Sequence, residues 1–223
     1  MSNKVLFVAP HPDDETLCCG GTILKHKANG DEIYWLIITN VSEKEGWSKE
    51  RVNSRQREID LVSDAYNFKE TFKLDFPTIK LDELSTGSII TKISQVINEV
   101  KPQTIYVNNS SDIHTDHKIV FQALMSCTKN FRYPFIKRIL MYETLSETEF
   151  SPALGANAFI PNVFIDITEY FSKKIGIMKI YESEVMEETL PRSLETIEAL
   201  ATLRGSRIGK RYGEGFCLIF ENI

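Results

Sequence analysis

The chain has 223 residues, of which 42% are hydrophobic, and a formal net charge of −5. That length, without an internal repeat, low-complexity tract or linker, points to a single domain over residues 1–223. The acidic balance and scattered basic residues argue against a nucleic-acid partner, and no apolar run approaches the ~20 residues of a membrane span. Cys18, Cys19, Cys127 and Cys217 lack C-x-x-C spacing, and Met1-Ser2-Asn3-Lys4 passes into a strand without a signal-peptide pattern. The expectation is a reduced, cytoplasmic protein.

In chain order, Val5 to Ala9 reads as a buried strand, Thr16 to Ala28 as a helix, Asn29-Gly30 as a turn and Glu32 to Thr39 as a second buried strand. A mostly polar helical stretch follows within Trp47 to Phe68, then a short strand at Phe72 to Phe76. Ser85 to Val100 reads as a helix stopped by Lys101-Pro102, and Thr104 to Asn108 as the next strand. The β-α-β-α-β rhythm predicts an α/β fold with a doubly wound, mostly parallel sheet flanked by helices. The second half is less regular and loop-rich. It contains a helix from His117 to Lys129, a strand from Arg138 to Glu143, and a long loop at 146–162. A strand at Val163 to Ile167 precedes a charged helix from Glu169 to Met186, with Thr168 as its N-cap. A helix from Arg192 to Arg204 and a strand from Phe216 to Phe220 close the chain. Exposed-looking apolar positions in this half would suit a homo-oligomer interface.

Two loops carry the chemistry. Pro10-His11-Pro12-Asp13-Asp14-Glu15 follows the first strand, and His114-Thr115-Asp116-His117 follows the strand ending at Asn108. Three of the four histidines fall in them. Parallel strands deliver their last residues to the sheet edge where α/β proteins bind ligands. Imidazole nitrogen and carboxylate oxygen suit zinc or a similar ion, and catalytic sites use three such ligands. His11 and Asp14 lie close enough for one loop to present both, and His117 is the natural third. Asp13 is then free to act as general base, and His114 to donate to an oxyanion. The other reading of this loop is a solvated turn capping the following helix, which satisfies one carboxylate but not two beside a histidine.

PHPDDETLCCGGT (Pro10 to Thr22), HTDH (His114 to His117), PNVFIDIT (Pro161 to Thr168), KIYESE (Lys179 to Glu184) and GSRIGKRYGEGF (Gly205 to Phe216) closely resemble the PIG-L/LmbE family of metal-dependent N-acetylglucosaminyl deacetylases. Pro10 departs from the alanine common before the family histidine. The resemblance implies a Rossmann-like fold and hydrolysis of the acetamide of an N-acetylated amino sugar, the small-molecule partner. It makes His11, Asp14 and His117 ligands of zinc, or of ferrous iron in its place, Asp13 the base and His114 the oxyanion-stabilising residue. Asp116 would orient a neighbouring imidazole. Arg55 matches an arginine that contacts sugar hydroxyls, with Arg51 or Arg57 serving after a small alignment shift.

Packing explains the remaining singular residues well. Gly20-Gly21 suit close helix–sheet packing, Cys18 and Cys19 line a helix, Trp35 is core and His26 is a surface residue. Trp47 is a candidate for the sugar site, and Glu143 stands where it would either reach the cleft or turn away. Two other functions compete: a magnesium-dependent phosphoryl-transfer or nucleotide-sugar enzyme using Asp13 and Asp14, and a non-catalytic sugar-binding protein. Magnesium would leave three histidines without a role.

Overall fold

The computed structural model describes residues 2–223. One seven-stranded sheet runs in the order β3-β2-β1-β4-β5-β7-β6. Its strands are β1 (Lys4–Ala9), β2 (Glu32–Asn40), β3 (Glu70–Pro77), β4 (Thr104–Asn108), β5 (Arg138–Tyr142), β6 (Val163–Asp166) and β7 (Gly213–Glu221). The first five pair in parallel, while β7 runs antiparallel to both β5 and β6. The helices are α1 (Asp14–Ala28), α2 (Lys49–Tyr66), α3 (Thr86–Val100), α4 (Thr115–Ser126), α5 (Phe171–Met178) and α6 (Leu194–Ser206).

The central strands are apolar along their whole length because both faces are covered. In β1, Val5, Phe7 and Ala9 point into a core shared with Leu17, Ile23, Ile59, Val62, Tyr66 and Met178, from α1, α2 and α5. Leu6 and Val8 point into a second core with Ile89, Ile93, Ile97, Val120 and Leu124, from α3 and α4. From β1 the chain winds outward through β2 to β3, then returns to place β4 on the other side of β1. The sheet therefore reverses its direction of growth between β1 and β4, and α/β proteins bind ligands at the carboxyl edge of such a crevice.

The structure corrects three expectations. The helix read from Glu169 to Met186 covers only Phe171–Met178, and its N-cap is Tyr170 rather than Thr168. Thr168 instead binds Tyr212 through its hydroxyl. Tertiary contacts override helical propensity beyond Met178. Leaving the helix there buries Tyr181, whose hydroxyl donates to Glu15 at 2.8 Å, and carries Glu184 to the cleft. His26 is not a plain surface residue, since Nδ1 pairs with Asp31 at 2.7 Å and Nε2 with the Tyr106 hydroxyl at 3.0 Å. The long loop contains only one short 3-10 turn, at Gly155–Asn157.

Gly20 and Gly21 do permit close packing, against the later chain rather than the central sheet. A Cβ on Gly21 would lie 2.5 Å from Ile167, and one on Gly20 would lie 2.8 Å from the side chains of Lys174 and Tyr66. At this point a buried ion pair enters the side of α1. Glu214 accepts from the backbone N–H groups of Gly21 and Thr22 at 2.9 and 2.8 Å. Lys174 bridges Glu214 at 2.7 Å and donates to the Leu17 carbonyl at 2.9 Å.

Candidate metal centre and cleft

The loops after β1 and β4 meet at the reversal point, at the floor of a cleft of about 270 Å³. His11 Nδ1, Asp14 Oδ2 and His117 Nε2 converge there. The two nitrogens are 3.3 Å apart, and the carboxylate oxygen lies 3.6 Å from His11 and 3.4 Å from His117. Ligand bonds of about 2.0–2.2 Å in a tetrahedral zinc site place ligand atoms roughly 3.3–3.6 Å apart, so the spacing fits such an ion.

The far sides of both rings explain why these atoms converge. His117 Nδ1 pairs with Asp112 at 2.8 Å, and His11 Nε2 pairs with Asp116 at 3.1 Å. A carboxylate there fixes the N–H on the far nitrogen and leaves a lone pair facing inward. Two ring nitrogens and a carboxylate oxygen then face one another, an arrangement that a bound cation would satisfy. A proton can fill the same place: burial would lower the pKa of His117, yet the charges of Asp14 and Asp112 push it up to about 10. Burial would raise that of Asp14, yet His117 and His11 pull it down to about 2.

Asp13 is the N-cap of α1 but makes no capping bond with its side chain. Its backbone stands at φ 141°, a conformation foreign to non-glycine residues and a form of strain found at functional sites. The Glu15 carboxylate, which accepts from the Asp13 N–H at 3.1 Å, holds it there. Burial, Asp14 and Glu184 raise the Asp13 pKa well above the usual carboxylate range, against the opposing charges of Arg55 and Arg192.

His114 caps α4 by accepting from the Asp116 N–H at Nδ1, 3.1 Å away. Burial, together with His11 and His117, pulls its pKa down to about 4, so the ring is neutral near pH 7. With Nδ1 accepting, the proton resides on Nε2, which makes His114 a fixed donor lining the cleft. Asp116 also accepts from the backbone N–H groups of Ile79 at 2.7 Å and Leu81 at 3.2 Å. Burial would raise its pKa, but these bonds and the one from His11 hold it below the ordinary value.

The structure brings together His11, Asp13, Asp14, His114, Asp116 and His117. Arg55 also lines the cleft, but it is buried and bound to protein partners. It donates to the Pro12 carbonyl at 2.8 Å and to Glu184, and it lies 3.4 Å from Glu58. Arg51 and Arg192 pair with the same Glu184 and are closer to solvent, whereas Arg57 lies outside the cleft. Trp47 lines the cleft at 37% exposure. Glu143 turns away and forms a two-point ion pair with Arg204 at 2.7 and 2.6 Å. Sequence reasoning missed Asp112, Glu15, Glu184 and Arg192. Asp112 sits five residues before His117, a spacing with no intrinsic signature. Glu15 lies in the first motif itself but its turn back onto the Asp13 N–H is not written in the pattern, and Glu184 and Arg192 reach the site only through tertiary packing.

Residues 6–128 match the family described as PIG-L: GlcNAc-PI de-N-acetylase. The chain belongs to this family. Diacetylchitobiose deacetylase of Thermococcus kodakarensis is 24% identical over 219 residues, covering 95% of this chain and 81% of that protein. A solved structure of the N,N'-diacetylchitobiose deacetylase from Pyrococcus horikoshii superposes with a TM-score of 0.76 at 20% identity, covering 98% of this PIG-L family chain and 84% of the other. The fold also matches GalB, the 4-carboxy-2-hydroxymuconate hydratase of Pseudomonas putida KT2440, with a TM-score of 0.73 at 15% identity, covering 100% and 98%. Fold alone therefore does not select the reaction. Among the described residues, no helix is long and apolar enough to cross a membrane.

Proposed function

We propose that this chain is a metal-dependent deacetylase that hydrolyses the acetamide of an N-acetylglucosamine-type sugar or conjugate. The observation that carries the reading is the convergence of His11, Asp14 and His117 beside an uncommitted buried carboxylate, Asp13, in a member of the PIG-L family. Both relatives named above as deacetylases support the same substrate class.

His11, Asp14 and His117 would hold zinc or ferrous iron. Such an ion supplies Lewis acidity, polarising the acetamide carbonyl and making a water easier to deprotonate. The Asp13 carboxylate takes a proton from the attacking water, and its raised pKa suits that role. His114 donates its Nε2 proton in a hydrogen bond to the carbonyl oxygen as negative charge develops there. Asp13 then returns the proton to the nitrogen as the C–N bond breaks, giving acetate and the free amine. Asp112 and Asp116 hold the two imidazoles in the required tautomers. Two imidazole donors in the triad favour this chemistry over the magnesium-dependent alternative.

Acetate release from a panel of N-acetylated glucosamine sugars, measured on the zinc- or iron-loaded protein, tests the assignment. Asp13→Ala is expected to keep the metal while kcat falls by about 10²–10⁴-fold. A loaded protein that releases no acetate from any member of the panel refutes the reaction.

A further inference from the structure

Among the described residues, seven non-glycine residues have positive φ, and two of these, Asn67 and Lys101, simply end helices α2 and α3. Of the other five, Asp13, Ile79 and Ser146 all line the one cleft. Ile79, at φ 64°, is the β-branched one of these three; Thr189, at φ 73°, shares that strain outside the cleft. A β-branched side chain is among the least tolerated in the left-handed region. The bond that fixes this conformation runs from the Ile79 backbone N–H to Asp116, and glycine would supply the same N–H without strain. Nor does packing offset the strain, because the Ile79 side chain is 61% exposed. A strained backbone carrying a largely exposed apolar side chain on the cleft wall points to contact with what enters the cleft.

Its neighbours fit that role. Lys80 pairs with Glu45, joining the Ile79 loop to the loop that carries Trp47, the other large exposed apolar side chain of the cleft wall. Through Asp116, the Ile79 backbone is also one hydrogen bond removed from His11. We infer that Ile79 is a specificity-determining residue whose side chain forms, with Trp47, an apolar wall that packs against the C–H face of the bound amino sugar. The inference rests on the deacetylase reading above.

Steady-state kinetics on the metal-loaded enzyme test it, with N-acetylglucosamine and N,N'-diacetylchitobiose as substrates. Ile79→Gly keeps the N–H on Asp116 and removes both the strain and the side chain. It is expected to raise KM about tenfold at unchanged kcat and metal content, with a melting temperature equal to or above that of wild type. Ile79→Leu is expected to restore KM. An unchanged KM in Ile79→Gly overturns the inference and leaves the deacetylase reading intact. So does a joint fall in kcat and metal content, which would mean that Ile79 acts only through Asp116. If wild type releases no acetate from these two or from any other sugar of the panel, the functional reading itself fails, and this inference falls with it.

Discussion

At the scale of single residues, the site is a set of lone pairs aimed by carboxylates that do not themselves face the centre. Asp112 is the clearest case, because it is fully buried and also accepts from the Thr148 hydroxyl at 2.6 Å. Asp112→Asn removes the charge that keeps the His117 proton on the outward nitrogen. The expected result is a 10–100-fold weaker metal affinity, measured by chelator competition, with the fold retained. Asp13 yields a second prediction, through pH. It acts as a base only when ionised, so activity is present above its pKa and lost as pH falls through it. Arg192 lowers that pKa, so Arg192→Gln raises it and moves the acid limb of the kcat/KM profile to higher pH. A limb that stays in place or moves to lower pH would count against Asp13 as the base. The convergence of His11, Asp14 and His117 was legible in the sequence because both motifs lie directly after apolar strands. Asp112 was not, since an aspartate in a polar loop has no periodicity to betray it.

At the scale of elements, legibility followed burial. Strands β1, β2 and β4 are covered on both faces, so their apolar runs mark them almost to the residue. The edge strand β3 is only partly buried and extends beyond the Phe72 to Phe76 run on both sides, and α5 stops early because Tyr181 and Glu184 have partners elsewhere, so neither boundary is written in local pattern. The ion pair set into α1 was equally hidden, because Lys174 and Glu214 are 40 residues apart. It satisfies two backbone N–H groups and one carbonyl in the middle of a helix whose first residue is the candidate ligand Asp14. Lys174→Met or Glu214→Gln alone leaves an uncompensated buried charge or an unfilled acceptor. Each is expected to cost about 3–5 kcal/mol in denaturant unfolding. The double variant should lose less than the sum of the two, and strict additivity would show that the two side chains do not act as a unit.

At the scale of the whole molecule, the sheet reversal is what makes a site out of two loops. The β1 and β4 loops are neighbours only because the chain returns to the other side of β1 after β3, and the same return separates the two helical layers into distinct cores. The fold class and the mostly parallel sheet were legible from the alternation of strand and helix patterns. The antiparallel β7 was not, since strand direction leaves no mark on a short apolar run.

The separation of His11 and His117 by 106 residues also bears on how the domain assembles. The three donors do not meet until β4 has docked beside β1, a non-local pairing that forms after the adjacent units have closed. A cation therefore finds only His11 and Asp14 in the early chain, an incomplete set, and arrives as a lock on a finished structure, not as a seed for it. Interactions absent from the folding transition state act almost wholly on the escape rate. Zinc is accordingly expected to slow unfolding in stopped-flow denaturant jumps while leaving the refolding limb where it was, and faster refolding with the ion present would show that the site nucleates the fold.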